Sequence, residues 1–190
     1  MLQSIYLLTI LFFFILAFAV RNLKTYLATG RQSIKGESGK LTASIVLSTA
    51  LYLLIAFRLI FNKPEWLLES NLFPGEVLLL PGLGFVTAGF VLGIFALIAM
   101  KNSWRVGIKY DQKTELVTSG IYRISRNPYF LSYDILIMGY LLLFPSPLLL
   151  VLYLPLVIVF HKMILEEERY LETVHGQDYL AYKKKTGRYF

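Results

Sequence analysis

Two polar segments of this apolar chain carry the residues whose types and spacing could do chemistry. The first, LVTSGIYRISRNPYF, covers residues 116–130 and places Arg126, Asn127 and Pro128 directly before an apolar run. The second is the acidic cluster at residues 166–168, which directly follows the last apolar run. Charged groups beside apolar membrane segments are costly unless they are paired, hydrated or used in function. The two segments together therefore predict a polar pocket at a membrane face.

The pair Asn127-Pro128 is typical of a helix start, because Asn can cap the first turn and Pro suits the first helical position. The free amide groups of that turn, with the positive end of the helix dipole, would bind an anion. Arg126 is suited to pair with a carboxylate, and Tyr122 and Tyr129 would add aromatic walls with polar tips. A capped helix beside an arginine that reaches the lipid headgroups is the alternative interpretation.

The three glutamates differ in their helical neighbours. Glu167 has only apolar or aromatic residues three and four positions before and after it, which predicts that it lies on the buried face of its helix. Glu168 is predicted to be partly buried. Glu166 has Lys162 and Arg169 beside it and is expected to form a surface ion pair. Because a carboxylate on an apolar face needs a partner, Glu167 is our candidate for the pocket.

Two further charged residues fall inside predicted membrane helices. Asp134 lies about 10 Å along its helix from Pro128. An acid at that depth is expected to face the helix bundle, where it would pair with a base, line a cavity or bind a substrate amine. Arg58 lies near the end of the second helix, and we interpret it as reaching outward to the lipid headgroups.

The elements that position these residues follow from hydropathy. The chain has 190 residues, of which 56% are hydrophobic, and a mean hydropathy of +0.60. Apolar runs of this length and number predict an all-α integral membrane protein. Five transmembrane helices are predicted at residues 2–20, 41–61, 77–100, 128–144 and 148–165, the last continuing as a polar helix towards 174. No Lys or Arg precedes the first run, so we interpret it as a membrane helix rather than a cleaved signal peptide.

We treat residues 1–190 as one membrane domain. Residues 1–100 would supply three N-terminal helices, and residues 101–190 a catalytic core made of a helical hairpin and a cytoplasmic tail. The turn Pro145-Ser146-Pro147 stops one helix and starts the next, which predicts that the last two membrane helices are antiparallel. Their ends near Asn127 and Glu167 must then lie close together on the same side of the membrane.

The distribution of basic residues predicts the orientation. Lys and Arg are concentrated at residues 21–40, 101–127 and 162–190, whereas residues 62–76 hold one lysine. The positive-inside rule then places the N-terminus outside and the pocket and C-terminus in the cytoplasm. The net charge of +7 follows from this topology, so we expect no nucleic-acid partner.

Composition excludes several kinds of site. The chain has no cysteine and two histidines, so we expect no disulfide, no thiol nucleophile and no metal site. The Gly82-x-Gly84 pair lies in a membrane helix with no preceding strand and is not a dinucleotide motif. Gly89 and Gly93 form a small-xxx-small pair that lets helices approach closely.

At this point the motifs resemble a known family. The segment at 116–130, a membrane hairpin, LEEERYL at 165–171 and HGQDYLAYKKKTGR at 175–188 resemble the isoprenylcysteine carboxyl methyltransferase and phospholipid methyltransferase family. The resemblance covers about residues 114–188, and the first three helices are similar in hydropathy alone. It implies an S-adenosyl-L-methionine (SAM) cofactor at the cytosolic membrane face, S-adenosyl-L-homocysteine as product and a lipid-side tunnel for an apolar substrate. We expect a bacterial-type member located in the inner membrane.

The resemblance also implies site residues, matched by position. Arg126, Tyr129 and Glu167 would be catalytic, and Asp134 and Met163 would face the substrate. The cofactor-contacting residues would be Thr114, Glu115, Leu116, Val117, Tyr122, Asn127, Pro128, Tyr129, Phe130 and Glu167.

The chain departs from the family pattern at three of these positions. The family's His is Asn127, its terminal Tyr is Phe130, and an Arg expected four residues before the key glutamate is Met163. The loss of that Arg argues against a prenyl-cysteine carboxylate as the acceptor.

Two other functions stay open. A membrane reductase of the sterol type, which uses NADPH, ends in a similar motif, and a non-catalytic membrane protein could retain the same fold. Binding of SAM, of NADPH or of neither would separate the three. For methyl transfer, a carboxylate acceptor would need no base, whereas an amine or hydroxyl would, with Glu167 or Asp134 as the candidates. The methyl acceptor and the oligomeric state are left open.

Overall fold

The described part of the chain is helical. The computed structural model describes residues 1–29, 39–61, 69, 75–100 and 115–190. Within these residues no strand occurs, which confirms the all-α prediction. The helices are α1 (Leu2–Thr29), α2 (Gly39–Phe61), α3 (Gly75–Ala99), α4 (Pro128–Leu143), α5 (Pro147–His175) and α6 (Gln177–Lys185), and one 3-10 turn (Gly120–Arg123) precedes α4.

The five predicted membrane helices correspond to α1 to α5. Four of them, α1, α2, α3 and α5, are long and apolar enough to cross a membrane, and α4 is a shorter apolar helix of 16 residues. Their outer surfaces are apolar, with side chains such as Leu53 (66% exposed), Leu80 (77%) and Val151 (64%) turned outward. Large aliphatic side chains in that position are suited to contact lipid rather than water. The chain is therefore an integral membrane protein.

Helix α1 is longer than predicted. The apolar run ends at Val20, but the helix continues to Thr29. Residues 21–29 contain neither Gly nor Pro, and Leu, Lys, Arg and Ala are good helix formers. Helix propensity therefore extends α1 beyond the segment that hydropathy alone marks out.

Glycines bring α3 and α4 into backbone contact. A Cβ atom added at Gly89 would lie 2.5 Å from the backbone nitrogen of Leu136, and one at Gly139 would lie 2.6 Å from that of Val86. Gly93 approaches the ring of Phe14 on α1 equally closely. The predicted small-residue contact is therefore confirmed, and the close approaches hold α3 against both α4 and α1.

The predicted hairpin is also confirmed. Helix α4 ends at Leu143, Ser146 is the N-cap residue of α5, and Pro147 is its first residue. Buried side chains of α1, α2, α4 and α5 form one core around the hairpin. The hydroxyl of Tyr140 donates to the backbone carbonyl of Leu7 at 2.7 Å, which ties α4 to α1.

Arg58, at the end of the bundle remote from the candidate pocket, does not have the environment that we expected. Its guanidinium pairs with the carboxylate of Glu69 and lies 4.3 Å from the centre of the Phe144 ring. Its side chain is 11% exposed. Arg58 therefore does not extend to lipid headgroups but connects the end of α2 to the end of α4. The assignment of residues 1–190 to one domain stays a prediction.

Candidate functional site

The α4–α5 hairpin brings Arg126 and Glu168 together. Nη2 of Arg126 lies 2.7 Å from Oε1 of Glu168, and Nε of Arg126 lies 3.3 Å from the same oxygen. The two side chains are only 7% and 5% exposed. The predicted meeting of the polar segments at the two ends of the hairpin is confirmed, as is the prediction that Arg126 pairs with a carboxylate.

A second arginine binds the same carboxylate. Nη2 of Arg188 lies 2.8 Å from Oε2 of Glu168, and its Nε lies 3.0 Å from Oε1. The hydrogen bond with Glu168 raises the pKa of Arg188 above its ordinary value. Two guanidinium groups thus share one carboxylate, and charge-assisted bonds of this kind are the strong ones in proteins.

Arg126 also holds the C-terminal tail. Its Nη1 donates to the backbone carbonyls of Thr186 at 2.5 Å and Lys183 at 3.2 Å, and its backbone amide donates to the carbonyl of Gly187 at 3.0 Å. Most of the donors of this buried guanidinium are therefore satisfied within the protein. Its observed role is to lock the start of α4 onto α5 and the tail.

The helix start at Asn127-Pro128 is confirmed, but not its predicted cap. Pro128 is the first residue of α4 and Asn127 is the N-cap residue. Within the described residues, the Asn127 side chain makes no capping hydrogen bond. Its amide instead donates to the carbonyl of Arg188 at 3.3 Å, and the hydroxyl of Ser125 donates to the same carbonyl at 3.1 Å. The Asn127 side chain is therefore hydrogen-bonded to the C-terminal tail and does not cap α4.

The predicted burial order of the glutamates is wrong. Glu168 is 4% exposed, whereas Glu167 is half-buried. Neighbours within α5 favoured Glu167, but the face of α5 that carries Glu168 is covered by the tail and by Arg126. Glu166 forms an ion pair, as predicted, but its partner is Lys40 on α2.

Glu167 acts on the buried tyrosine of the motif. Tyr122 is 6% exposed, and its backbone carbonyl accepts a hydrogen bond of 2.5 Å from the hydroxyl of Tyr182. Burial raises the pKa of Tyr122, and the negative charge of Glu167 raises it further. Glu167 therefore lies close enough to Tyr122 for its charge to affect the tyrosine hydroxyl.

Tyr129 and Phe130 face the apolar interior. The ring of Tyr129 stacks against Phe14 at 5.9 Å and Phe18 at 6.0 Å, both on α1. Phe130 packs edge-on against Phe160 of α5 at 5.0 Å. The first turn of α4 is therefore lined by aromatic rings on two sides.

The remaining expected site residues lie at different depths. Asp134 is half-buried, and its carboxylate accepts a hydrogen bond of 3.4 Å from the hydroxyl of Tyr153. Met163 is buried in the core. Pro128 is buried, Leu116 and Val117 are half-buried, Glu115 is exposed, and Thr114 lies outside the described residues.

A family comparison agrees with these motifs. The model of the phospholipid methyltransferase family matches residues 77–178, which is more than half of the chain. The chain belongs to this family. The match begins in α3, so the phospholipid methyltransferase domain extends further towards the N-terminus than the motifs indicated. It ends before Arg188, so the arginine that completes the buried ion cluster lies beyond it.

Two similar proteins are named as methyltransferases. One is from Oryza sativa subsp. indica and one from Oryza sativa subsp. japonica, and each is named probable protein-S-isoprenylcysteine O-methyltransferase. Each is 28% identical to this chain over 153 residues, which cover 79% of this chain and 80% of the relative. Both findings identify this member of the phospholipid methyltransferase family as a membrane methyltransferase.

Sequence reasoning missed three residues of the site. Arg188 was one of several basic residues in the tail, and nothing local marks it as a partner of Glu168. Tyr179 and Tyr182 are the two tyrosines of HGQDYLAY, and both are buried. The spacing of that motif was the available signal. Among the described residues, no group of three His, Cys, Asp or Glu side chains could hold a metal ion.

Proposed function

We propose that the protein is a SAM-dependent methyltransferase that transfers a methyl group to a lipid or another apolar acceptor at the cytosolic membrane face. The observation that carries this proposal is the meeting of Arg126 and Glu168 at the foot of the α4–α5 hairpin. Both residues lie within the range that the family model matches. The ion pair fixes a polar site beside helices whose outer surfaces are apolar.

The residues around the ion pair suit the polar groups of SAM. The N-terminal end of α4 carries positive dipole charge and, in the described chain, takes no side-chain cap from Asn127, so it would bind the carboxylate of the methionine moiety. The half-buried carboxylate of Glu167 would accept hydrogen bonds from the ammonium or a ribose hydroxyl. Once bound, the cofactor would supply a methyl group that is already electrophilic.

The chain's own contribution would then be mainly positioning. Arg126 joins α4, α5 and the tail into one unit, which would hold the N-terminal turn of α4 in a fixed place relative to Glu167. Tyr129 and Phe130, with their partners Phe14 and Phe160, would form the apolar wall against which the acceptor lies. Excluding water there would leave the acceptor's nucleophile poorly solvated and more reactive.

Whether methyl transfer needs a base depends on the class of acceptor. The relatives' names indicate a prenylated cysteine, whose carboxylate would need no base, and the family name indicates a phospholipid. Met163 stands where the isoprenylcysteine enzymes are expected to carry an Arg, which favours the second class. Asp134 would take the proton from an amine or hydroxyl acceptor.

Charge distribution supports the cytosolic placement. The ion cluster lies at the same end of the bundle as α6, whose last turn holds Lys183, Lys184 and Lys185. Basic residues concentrate on the cytoplasmic side of membrane proteins. We therefore propose that the N-terminus is outside and that the site faces the cytosol, in a bacterial inner membrane.

Calorimetry on the detergent-purified protein tests the cofactor assignment. The ligands are SAM, S-adenosyl-L-homocysteine and NADPH, and the variants are Glu167→Gln and Glu166→Gln. Loss of a charged hydrogen-bond acceptor in Glu167→Gln should weaken SAM binding by about tenfold or more. Glu166→Gln removes a partly exposed ion pair from the same turn, so it should change affinity by about twofold at most. Binding of NADPH in place of SAM, or no SAM binding by folded protein, would contradict the proposal.

A further inference from the structure

Tyr179 is a buried tyrosine whose hydroxyl has no hydrogen-bond partner among the described residues. The side chain is 1% exposed, and no hydrogen-bond partner for its hydroxyl is found within the described chain. Tyr182, on the same helix and 6.1 Å away between ring centres, differs in this respect. Its hydroxyl donates to the backbone carbonyl of Tyr122 at 2.5 Å. Within the described residues, α6 thus carries one buried hydroxyl with a hydrogen-bond partner and one without.

An unpaired buried hydroxyl calls for an explanation. Almost all buried polar groups in proteins are hydrogen-bonded, because burial removes the water that would otherwise bind them. A phenylalanine would fill the same space without that cost. The hydroxyl of Tyr179 is therefore best explained by a partner that the described part of the chain does not supply.

The surroundings of Tyr179 indicate what that partner is. The charges of Glu168, Arg126 and Glu167 all affect the Tyr179 hydroxyl. The charge of Glu167 also affects the hydroxyl of Tyr122. Burial raises the pKa of Tyr179, and the charge of Glu168 raises it further. The hydroxyl keeps its proton at neutral pH, as an unperturbed tyrosine also does, and is available as a donor near the carboxylate that we assign to the cofactor.

We propose that Tyr179 is a cofactor-binding residue whose hydroxyl donates a hydrogen bond to a ribose or carboxylate oxygen of SAM. This inference rests on the proposed function, since it requires SAM to lie beside Glu167. It adds α6 to the cofactor site, so the polar C-terminal segment would contact the ligand as well as accept hydrogen bonds from Arg126.

Two matched substitutions test the inference, Tyr179→Phe and Tyr182→Phe. Each removes one hydroxyl and leaves the ring in place. Without ligand, Tyr179→Phe should melt at the wild-type temperature or higher, because it loses no hydrogen bond to any described residue, whereas Tyr182→Phe should melt lower. With SAM, Tyr179→Phe should weaken binding by about fivefold, the value of one hydrogen bond, and reduce the thermal shift that SAM produces.

The outcomes separate this inference from the function on which it rests. Wild-type SAM affinity in Tyr179→Phe would overturn the inference alone and would mean that the hydroxyl meets only buried water. A ligand-free melting temperature lowered as much as in Tyr182→Phe would also overturn it, because the hydroxyl would then have a partner within the protein. Absence of SAM binding by the wild-type protein would overturn both proposals.

Discussion

Arg126 and Glu168 lie 42 positions apart in the sequence and form a buried ion pair with 2.7 Å between Nη2 and Oε1. Arg126 directly precedes the segment that starts α4, and Glu168 lies near the end of α5. Arg188, from the tail, binds the other oxygen of the same carboxylate at 2.8 Å. Three separate segments therefore converge on one carboxylate, and the membrane hairpin and the polar tail form a single unit around it.

The buried ion cluster should dominate the stability of this end of the molecule. Glu168→Gln would leave the guanidinium of Arg126 buried without its counter-charge, which typically costs about 3–5 kcal/mol. We expect a large drop in the melting temperature of the detergent-solubilised protein. Arg188→Gln is the control, because Arg188 is partly exposed (31%) and Arg126 would still pair with Glu168. A Glu168→Gln variant as stable as the wild type would contradict the importance of the cluster.

Any side chain at position 89 should destabilise the protein by disrupting the contact between α3 and α4. In Gly89→Ala the new Cβ would lie 2.5 Å from a backbone nitrogen of α4, so the helices would have to separate. Overpacking of this kind costs about 1–3 kcal/mol. Gly84→Ala, in the same helix, should be neutral or stabilising, since no described atom lies within 4 Å of its Cβ. Thermal unfolding compares the two, and equal stability would show that the helices do not approach this closely.

The Arg58–Glu69 pair should support stability without affecting cofactor binding. Its side chains are 11% and 7% exposed, and Arg58 also lies over the Phe144 ring. Arg58→Gln would leave Glu69 buried and unpaired, so the melting temperature should fall. The SAM dissociation constant should stay within about twofold, because distant sites act independently. A larger change in SAM affinity would reveal coupling between the two ends of the bundle.

Asp134 is the candidate base, and Asp134→Asn tests it. The substitution keeps an oxygen that can accept the hydrogen bond from Tyr153, so folding and SAM affinity should be preserved. Methyl transfer to an amine or hydroxyl acceptor should fall by about a hundredfold, the usual value of general base catalysis. The measurement is the rate of transfer from labelled SAM at saturating cofactor. An unchanged rate would exclude Asp134 as the base and favour a carboxylate acceptor.

The sequence predicted the helices and their connections because those depend on local signals. Apolar runs and the Pro145-Ser146-Pro147 turn marked out the hairpin. The hairpin in turn required that Arg126 meet the acidic cluster, which the 2.7 Å contact confirms. Asn127-Pro128 likewise marked the start of α4.

The details of the site depended on contacts between distant segments, which local patterns cannot show. Neighbours within α5 favoured Glu167 as the buried glutamate, yet Glu168 is the one that Arg126 and Arg188 enclose. The tail also takes the Asn127 side chain that was expected to cap α4. Arg126 lies 42 positions from Glu168, and Arg188 lies 61 positions from Asn127. The local sequence around each residue does not indicate partners at such distances.

Transfer of the labelled methyl group of SAM into an organic-soluble product would establish the proposed methyltransferase activity. The purified protein would be incubated with methyl-labelled SAM and either a total membrane-lipid extract or a prenylated cysteine, and the organic phase counted. Label is expected in the organic phase with wild-type protein and with Glu166→Gln, and a strong loss of label is expected with Glu167→Gln. Folded wild-type protein that leaves the organic phase unlabelled with both acceptors, and oxidises NADPH instead, would contradict the proposed activity.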